Sequence, residues 1–377
     1  MSTVHVVTGA MFGSEGKGHV TAQLLSNSQY IGPNEPALNI RVAGPNAGHT
    51  VIDPSGFAFP LRTIPVGAAI NPEATLYLSP GSEIELEVLA YEVSLLREHG
   101  HAVDNLVISG EATVLEQKHK DVETELDIHT KLGSTGKGIG AARADRIMRS
   151  ATRFQDHAEA MALAKEIGAV VLTARESLAF IDKWVSAPDS IIVIEGTQGY
   201  GLGLHAGHYP TCTSSDARAV DFLAMAGISP WASGIEYLGI WLVARVYPIR
   251  VAGNSGPLKG ETSWEKLGLP IEKTTVTHKV RRVGEWDPEL IRDAAIANGA
   301  EIADGQTEFR RWQMGTEILV ALTMADQKIP SIRGKVDYYD LTVNTSKELD
   351  DLLKEVQKDA GVPVAMVTTG PDTAIAL

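Results

Sequence analysis

The sequence predicts an α/β fold with a largely parallel central sheet. Apolar runs of strand length alternate with longer stretches of helical periodicity. Several runs end directly in glycine-containing loops, where open α/β sheets place their ligands. The first run leads through a glycine-rich loop into a helix-compatible segment, a strand, loop and helix unit suited to an anion.

In chain order, VHVVTG from Val4 reads as a short buried strand, and VTAQLLS from Val20 as the helix that follows GSEGKGH. Further strand-like runs are NIRVA from Asn39, NLVISG from Asn105, SIIVIEG from Ser190, LGIWLVARVY from Leu238, EILVALTM from Glu317 and PVAMVTTG from Pro363. SEIELEVLAYEVSLLREHG from Ser82 and SKELDDLLKEVQKDAG from Ser346 have helical periodicity. Pro330 to Tyr339 reads as a surface insertion. No tandem repeat, low-complexity linker or boundary interrupts the pattern. Residues 1–377 are therefore expected to form a single elaborated domain, a size that large α/β folds reach around one sheet.

Composition narrows the class. Hydrophobic residues make up 44% and charged residues 21%, ordinary for a globular protein. No apolar stretch approaches the ~20 residues of a membrane span, so no membrane partner is expected. The N-terminus carries no basic leader or cleavage pattern, and Cys212 is the single cysteine, which fits a reducing cytoplasm. A formal net charge of −14 repels nucleic acid in general. Phosphate binding must then come from local backbone donors and a few cationic side chains.

Gly13, Ser14, Glu15, Gly16, Lys17 and Gly18 sit where unpaired N–H groups and a helix dipole favour an anion. The segment departs from the strict Walker pattern: no glycine stands five residues before Gly16, and Gly18 replaces the usual Ser/Thr. A glycine-rich turn with a solvated lysine is the alternative to a phosphate site.

Other motifs decide between these. GAMFGSEGKG resembles the opening signature of the adenylosuccinate synthetase family, and GPNAGHT at Gly44 to Thr50 resembles its second signature. GSTGKGIG from Gly133, EGTQGYGL from Glu195, YPTCTSS from Tyr209, RRVGEWD from Arg281 and TTGPD from Thr368 continue the family order, so the resemblance spans nearly the whole chain. It implies a P-loop-like adenylosuccinate synthetase fold with helical insertions, usually a homodimer. It also implies a magnesium-dependent carbon–nitrogen ligase that joins L-aspartate to the purine 6-position of a monophosphate. The 6-oxygen is a poor leaving group, so a nucleoside triphosphate first phosphorylates it, and the amine of aspartate then expels phosphate.

The resemblance also implies roles for individual residues. Ser14, Lys17 and His49 are the catalytic candidates, with His49 stabilising or protonating the 6-oxygen and Lys17 supplying charge to the phosphates. Gly13 to Gly18, Gly48, His49 and Thr50 would hold the triphosphate, with Asp326, Thr369, Gly370 and Pro371 flanking its base. Ser14 and the Gly48 carbonyl are the magnesium ligands. Glu15 either helps position magnesium or water, or anchors the loop. Ser14, Asn46, Ser134, Thr135, Gln198, Thr213 and Val251 would contact the acceptor nucleotide, and Arg149 would reach into a neighbouring subunit. Thr275, Thr277, Lys279 and Arg281 lie in the segment that resembles the aspartate loop, where Lys279 and Arg282 are open to exchanging roles.

Two departures from the family stand out. Ser14 replaces an aspartate that serves as base and magnesium ligand. Serine here resembles a bacteriophage branch of the family that makes 2-amino-2'-deoxyadenylosuccinate from dGMP, towards 2-aminoadenine nucleotides; for a phage protein the compartment would be the host cytoplasm. The small neutral side chain leaves room for a guanine 2-amino group. Met324 replaces the lysine of a T-K-L-D signature for a guanine donor, which favours ATP or dATP over GTP. An ordinary adenylosuccinate synthetase acting on IMP and a non-catalytic nucleotide-binding regulator are the other readings.

Overall fold

The protein is described from a computed structural model that covers residues 1–32, 35–42, 44–273, 279–301 and 315–377. Its centre is a sheet in which ten strands are found among the described residues. They are β1 (Ser2–Gly9), β2 (Ala37–Arg41), β3 (Thr75–Leu78), β4 (Leu106–Ser109), β5 (Val170–Leu172), β6 (Ile191–Glu195), β7 (Ile235–Arg245), β8 (Thr316–Thr323), β9 (Val364–Thr368) and β10 (Ala374–Ala376). The spatial order is β10–β9–β8–β7–β1–β6–β2–β3–β4–β5. All neighbours run parallel except the β9–β10 pair at one edge.

The inner strands are rich in apolar residues and almost wholly buried because both faces are covered. Val4 and Val6 of β1 pack with Ile192 and Ile194 of β6 in one cluster, while Val7 packs with Ile191 and Val193 in another. Each fully buried valine or isoleucine contributes about 1.5–3 kcal/mol, so the alternation fixes the register. That register aligns the strand ends: Glu195 lies opposite Val7 on one side and Arg41 on the other, and Arg245 lies opposite Thr323. Gly9, Arg41, Glu195, Arg245, Thr323 and Thr368 thus end neighbouring strands at one carboxyl edge.

Four helices matter for the site. The helix α1 (Lys17–Ser26) starts at Gly16, whose φ of 92° is left-handed and suits glycine. α2 (Leu86–Glu98) begins later than its periodicity predicts, because Glu83–Ile84 is drawn into a short ladder with Thr113–Val114. α3 (Ile139–Met148) follows GSTGKG, and α4 (Val343–Ala360) is capped by the Thr342 side chain and ended by Gly361. Buried Glu92 on α2 accepts from the backbone N–H groups of Arg62 at 2.6 Å, Thr63 at 3.0 Å and Ile64 at 2.8 Å, pinning a segment that runs beneath the site. No described helix is long and apolar enough to cross a membrane.

Candidate active site

The glycine-rich loop leaves β1 at the middle of the sheet and is folded against its neighbours. Gly13 and Gly16 both have left-handed φ, near 93° and 92°. Glu15 turns inward: its carboxylate accepts from Gly13 N at 2.6 Å and from Lys17 Nζ at 2.8 Å, and Lys17 also donates to Gly13 O at 3.1 Å. Both side chains are buried, so Glu15 anchors the loop and Lys17 is held within it. Thr323, at the end of β8, donates to Glu15 O at 2.5 Å and ties the loop to the sheet edge. Gly18 departs from the Walker pattern for a steric reason. A Cβ there would stand 2.7 Å from His49 Cβ.

His49 opens a two-stranded ladder, His49–Ile52 with Ala58–Leu61, that follows the half-buried Asn46 and exposed Gly48. Its Nδ1 hydrogen-bonds Glu195 and lies 2.6 Å from Arg41 Nη1; Arg41 also donates to Glu195 and, at 2.7 Å, to Ala47 O. The second Glu195 oxygen accepts from Val66 N at 3.0 Å. Burial, with help from the Arg41 charge, lowers the His49 pKa to about 4. Burial alone would raise the Glu195 carboxyl, but Arg41 and His49 hold it below its ordinary value. The carboxylate orients the ring through Nδ1, and Nε2 takes no part in that contact.

On the other side of the loop, Arg281 donates to Ser14 Oγ, and Arg245 Nη1 reaches Ser14 O at 3.4 Å. Arg245 grips Glu272 with both terminal nitrogens, at 3.1 and 2.7 Å, which helps hold Glu272 below its usual value against the upward push of burial. Arg282 is turned elsewhere, paired with Glu261 at 2.7 Å and bonded to Gly256 O at 2.7 Å, so it does not share the position of Arg281. Thr275 and Thr277 lie outside the described residues.

Several acceptor-side candidates gather near this loop. Gln198 packs on Gly13, where a Cβ would lie 3.2 Å from its Cα, and Thr213 N donates to Leu202 O at 2.7 Å in the same loop system. Lys279 donates to His129 Nε2 at 2.9 Å, and His129 Nδ1 donates to Ser134 O. Thr135 follows, and Gly133 packs on Ser255, whose hydroxyl donates to Val251 O at 2.5 Å. Arg149 stands apart as the exposed C-cap of α3 with a left-handed φ of 67°. At the far side, Met324 N donates to Thr368 Oγ1 at 2.8 Å, and Asp326 accepts from Arg333 Nε at 3.0 Å. Thr369 is buried and donates to Lys335 O at 2.5 Å, while Gly334 N donates to Thr369 O at 3.0 Å; exposed Pro371 follows Gly370.

A profile of the adenylosuccinate synthetase family matches residues 6–191 and 173–376. The chain belongs to the adenylosuccinate synthetase family. It is 31% identical to the adenylosuccinate synthetase of Pyrococcus horikoshii over 97% of this chain and 96% of the relative. It is 32% identical to that of Methanococcus vannielii over 98% and 97%. It also resembles the solved succinoaminodeoxyadenylate synthetase of cyanophage S-2L, bound to dGMP and to dATP as an energy donor, at 26% identity and a TM-score of 0.75, covering 98% of this chain and 93% of that one. The fully ligated adenylosuccinate synthetase of Plasmodium falciparum shares the fold at a TM-score of 0.73 and 18% identity, covering 100% and 99%.

Members of the adenylosuccinate synthetase family are carbon–nitrogen ligases that use a nucleoside triphosphate and magnesium. Among the described residues no group of three or more His, Cys, Asp or Glu side chains could hold a metal ion. Ser14 in the glycine-rich loop carries a hydroxyl oxygen, and Gly48 in the second signature is an exposed residue with only its backbone carbonyl to offer. Both are hard oxygen donors of the kind magnesium accepts, and with so few protein ligands phosphate oxygens and water would have to complete its octahedron. Sequence reading missed Arg41 and Glu195. Each is the charged last residue of a fully buried strand, and a buried charge in that position requires a partner.

Proposed function

We propose that this chain joins L-aspartate to the 6-position of dGMP, giving 2-amino-2'-deoxyadenylosuccinate, with ATP or dATP as phosphate donor. The observation that carries the reading is Ser14, a neutral hydroxyl held by Arg281 where the family has an aspartate. A guanine 2-amino group would meet a small polar side chain there, not a carboxylate. The likeness to the S-2L enzyme with dGMP and dATP supports the same substrates.

In this reading the triphosphate lies along Gly13 to Gly18, with Lys17 and Thr50 beside it, and Asp326, Thr369, Gly370 and Pro371 flank its base. Lys17 exchanges Glu15 for phosphate oxygens. Ser14 and Gly48 would hold magnesium, which when bound would supply charge neutralisation and alignment of the phosphates. As ring nitrogen 1 gives its proton to bound water, the 6-oxygen attacks the terminal phosphorus and releases the nucleoside diphosphate; the aspartate amine, as the free base, then attacks carbon 6, passes a proton to the departing phosphate and releases it. His49 is neutral in the free site, so its Nε2 meets the charge that develops on the 6-oxygen only once the ring has taken up a proton, and Glu195 stabilises the imidazolium so formed. Asn46, Ser134, Thr135, Gln198, Thr213 and Val251 hold the acceptor nucleotide, and Thr275, Thr277, Lys279 and Arg281 hold aspartate.

The deciding experiment pairs dGMP, GMP and IMP with ATP, dATP and GTP, in the presence of aspartate and magnesium, and identifies products by mass. Turnover of dGMP ahead of IMP is expected. Preference for IMP would support the second reading, an ordinary adenylosuccinate synthetase, which the names of the relatives near 31% identity favour. No turnover would support a nucleotide-binding regulator. A homodimer with shared sites belongs to the proposal, Arg149 reaching the partner's acceptor phosphate. Inactive Arg149→Ala and Lys17→Ala chains should regain partial activity when mixed. A fully active monomer on sedimentation would overturn the sharing.

A further inference from the structure

The segment from Pro330 to Tyr339 reads as an insertion in the sequence, yet it forms one wall of the loop cluster at the ends of β8 and β9. Arg333 Nε donates to Asp326 Oδ2 at 3.0 Å, Gly334 N donates to Thr369 O at 3.0 Å, and Thr369 Oγ1 donates to Lys335 O at 2.5 Å. Met324 N, bonded to Thr368 Oγ1 at 2.8 Å, completes the circle. The Asp326 side chain is 12% exposed and that of Arg333 is 66% exposed, so the carboxylate forms the floor and the guanidinium the rim. Among the described residues, neither Asp326 Oδ1 nor the terminal nitrogens of Arg333 have a hydrogen-bond partner.

We propose that Arg333 selects the base of the phosphate donor, an inference that rests on reading this cluster as the donor-base site. The argument is one of matching donors and acceptors. A lone carboxylate presents two acceptors side by side, which suit guanine, whose edge offers N1–H and the 2-amino group, both donors. Once Arg333 occupies Oδ2, the pair presents one acceptor, Oδ1, beside guanidinium donors. That array fits adenine, which offers a 6-amino donor next to the N1 acceptor. Guanine held in the same pose by its sugar and phosphates would set O6 against Oδ1, acceptor against acceptor, and N1–H against guanidinium N–H groups, donor against donor, so in that pose the pair attracts adenine and rejects guanine. Arg333 thereby does by charge and hydrogen bonding what the Met324 substitution alone does not do, since a thioether neither donates nor strongly accepts.

The test is Arg333→Ala, a rim substitution that leaves the buried contacts of Thr369 in place. Specificity constants for ATP, dATP and GTP are measured in wild type and variant at saturating aspartate, magnesium and whichever of dGMP or IMP the wild type turns over. Wild type should favour the adenine donors. The variant should lose adenine preference and gain GTP use, moving the ATP to GTP ratio by about tenfold to a couple of hundredfold. Arg333→Lys, which keeps the charge but not the planar fork, should fall between them. The acceptor ratio, dGMP to IMP, should be the same in wild type and all variants. Wild-type preference for GTP, or an unmoved ATP to GTP ratio in a variant with wild-type melting temperature, overturns the proposal. Preference for IMP over dGMP would defeat the reading of Ser14 and leave the donor ratio to decide Arg333. If the protein turns over no acceptor, equilibrium titration of wild type and variant with ATP and GTP reads the same ratio.

Discussion

Two charged clusters flank the phosphate loop, and they are built on opposite plans. Arg41 and Glu195 end adjacent strands, are matched in register, and enclose His49 in the interior. On the other side, Arg245 alone ends a sheet strand, while Glu272 and Arg281 come from an excursion beyond it, and the Glu272 side chain is 28% exposed. The contrast separates two tasks. Arg41 and Glu195 are both set by the sheet, whose register cannot slip by one residue without turning every side chain over. Groups beside Ser14 hang on connecting segments, where a change of residue needs little repacking.

The largest expected effect comes from breaking the first cluster at Glu195. Glu195→Gln keeps the shape but leaves Arg41 buried without a counter-charge, and loss of one partner from such a pair costs about 3–5 kcal/mol. Chemical denaturation should show that loss together with collapse of turnover. Unchanged stability would mean that the cluster is not the fixed element described here. His49→Ala should act on turnover, losing ~2.7–4 kcal/mol of transition-state stabilisation while triphosphate binding persists. Near-normal kcat in the folded variant would remove His49 from the chemistry.

The second cluster is probed by Ser14→Asp. A carboxylate there should attract Arg281 and crowd a 2-amino group, shifting the dGMP to IMP ratio towards IMP by ~1–3 kcal/mol. A constant ratio in folded protein that binds triphosphate would sink the specificity argument.

The most gradual effect is a pH slope in stability, to which His49 of the first cluster contributes. His49 titrates at about 4 in the folded chain, lowered from 6.5 by burial and then by Arg41. Between these values the unfolded chain holds a proton that the folded chain does not. Stability from this group is therefore complete above pH 6.5 and drains away as pH falls towards about 4. His49→Gln should flatten the slope of unfolding free energy across that window by up to about 1.4 kcal/mol per pH unit. His5 offers a comparison in the same protein. It is also held at about 4 by burial, but it accepts from Trp241 Nε1 at 3.1 Å and does not belong to this cluster, so its share of the slope should survive the His49 change. Parallel slopes in wild type and His49→Gln would contradict the shifted histidine.

What the sequence reveals follows the range of the interaction. The strands at Val4, Asn105, Ser190, Leu238 and Glu317 are legible because an unbroken apolar run is a local property. β3, Thr75–Leu78, is not singled out, since it is only four residues long and lies between Pro72 and Pro80. The residues of the glycine-rich and GPNAGHT segments are legible as signatures. Arg41 and Glu195 sit inside runs that the sequence displays, but their pairing joins residues 154 apart and needs the strand order to be known. Arg333 is hidden for a different reason: nothing in an exposed, proline-started segment signals that its backbone will be tied to Thr369.

The absent side chain at Gly18 has a consequence for how this protein can change. Because a Cβ at Gly18 would press on His49 at 2.7 Å, the first and second signatures are one steric unit, although thirty residues separate them in the chain. Neither can drift independently. An alanine at position 18 would displace the imidazole before it disturbed the phosphate loop itself, so the histidine sets which residues its distant neighbour can become. The paths by which such a chain accumulates substitutions are narrowed at two places by one missing methyl group.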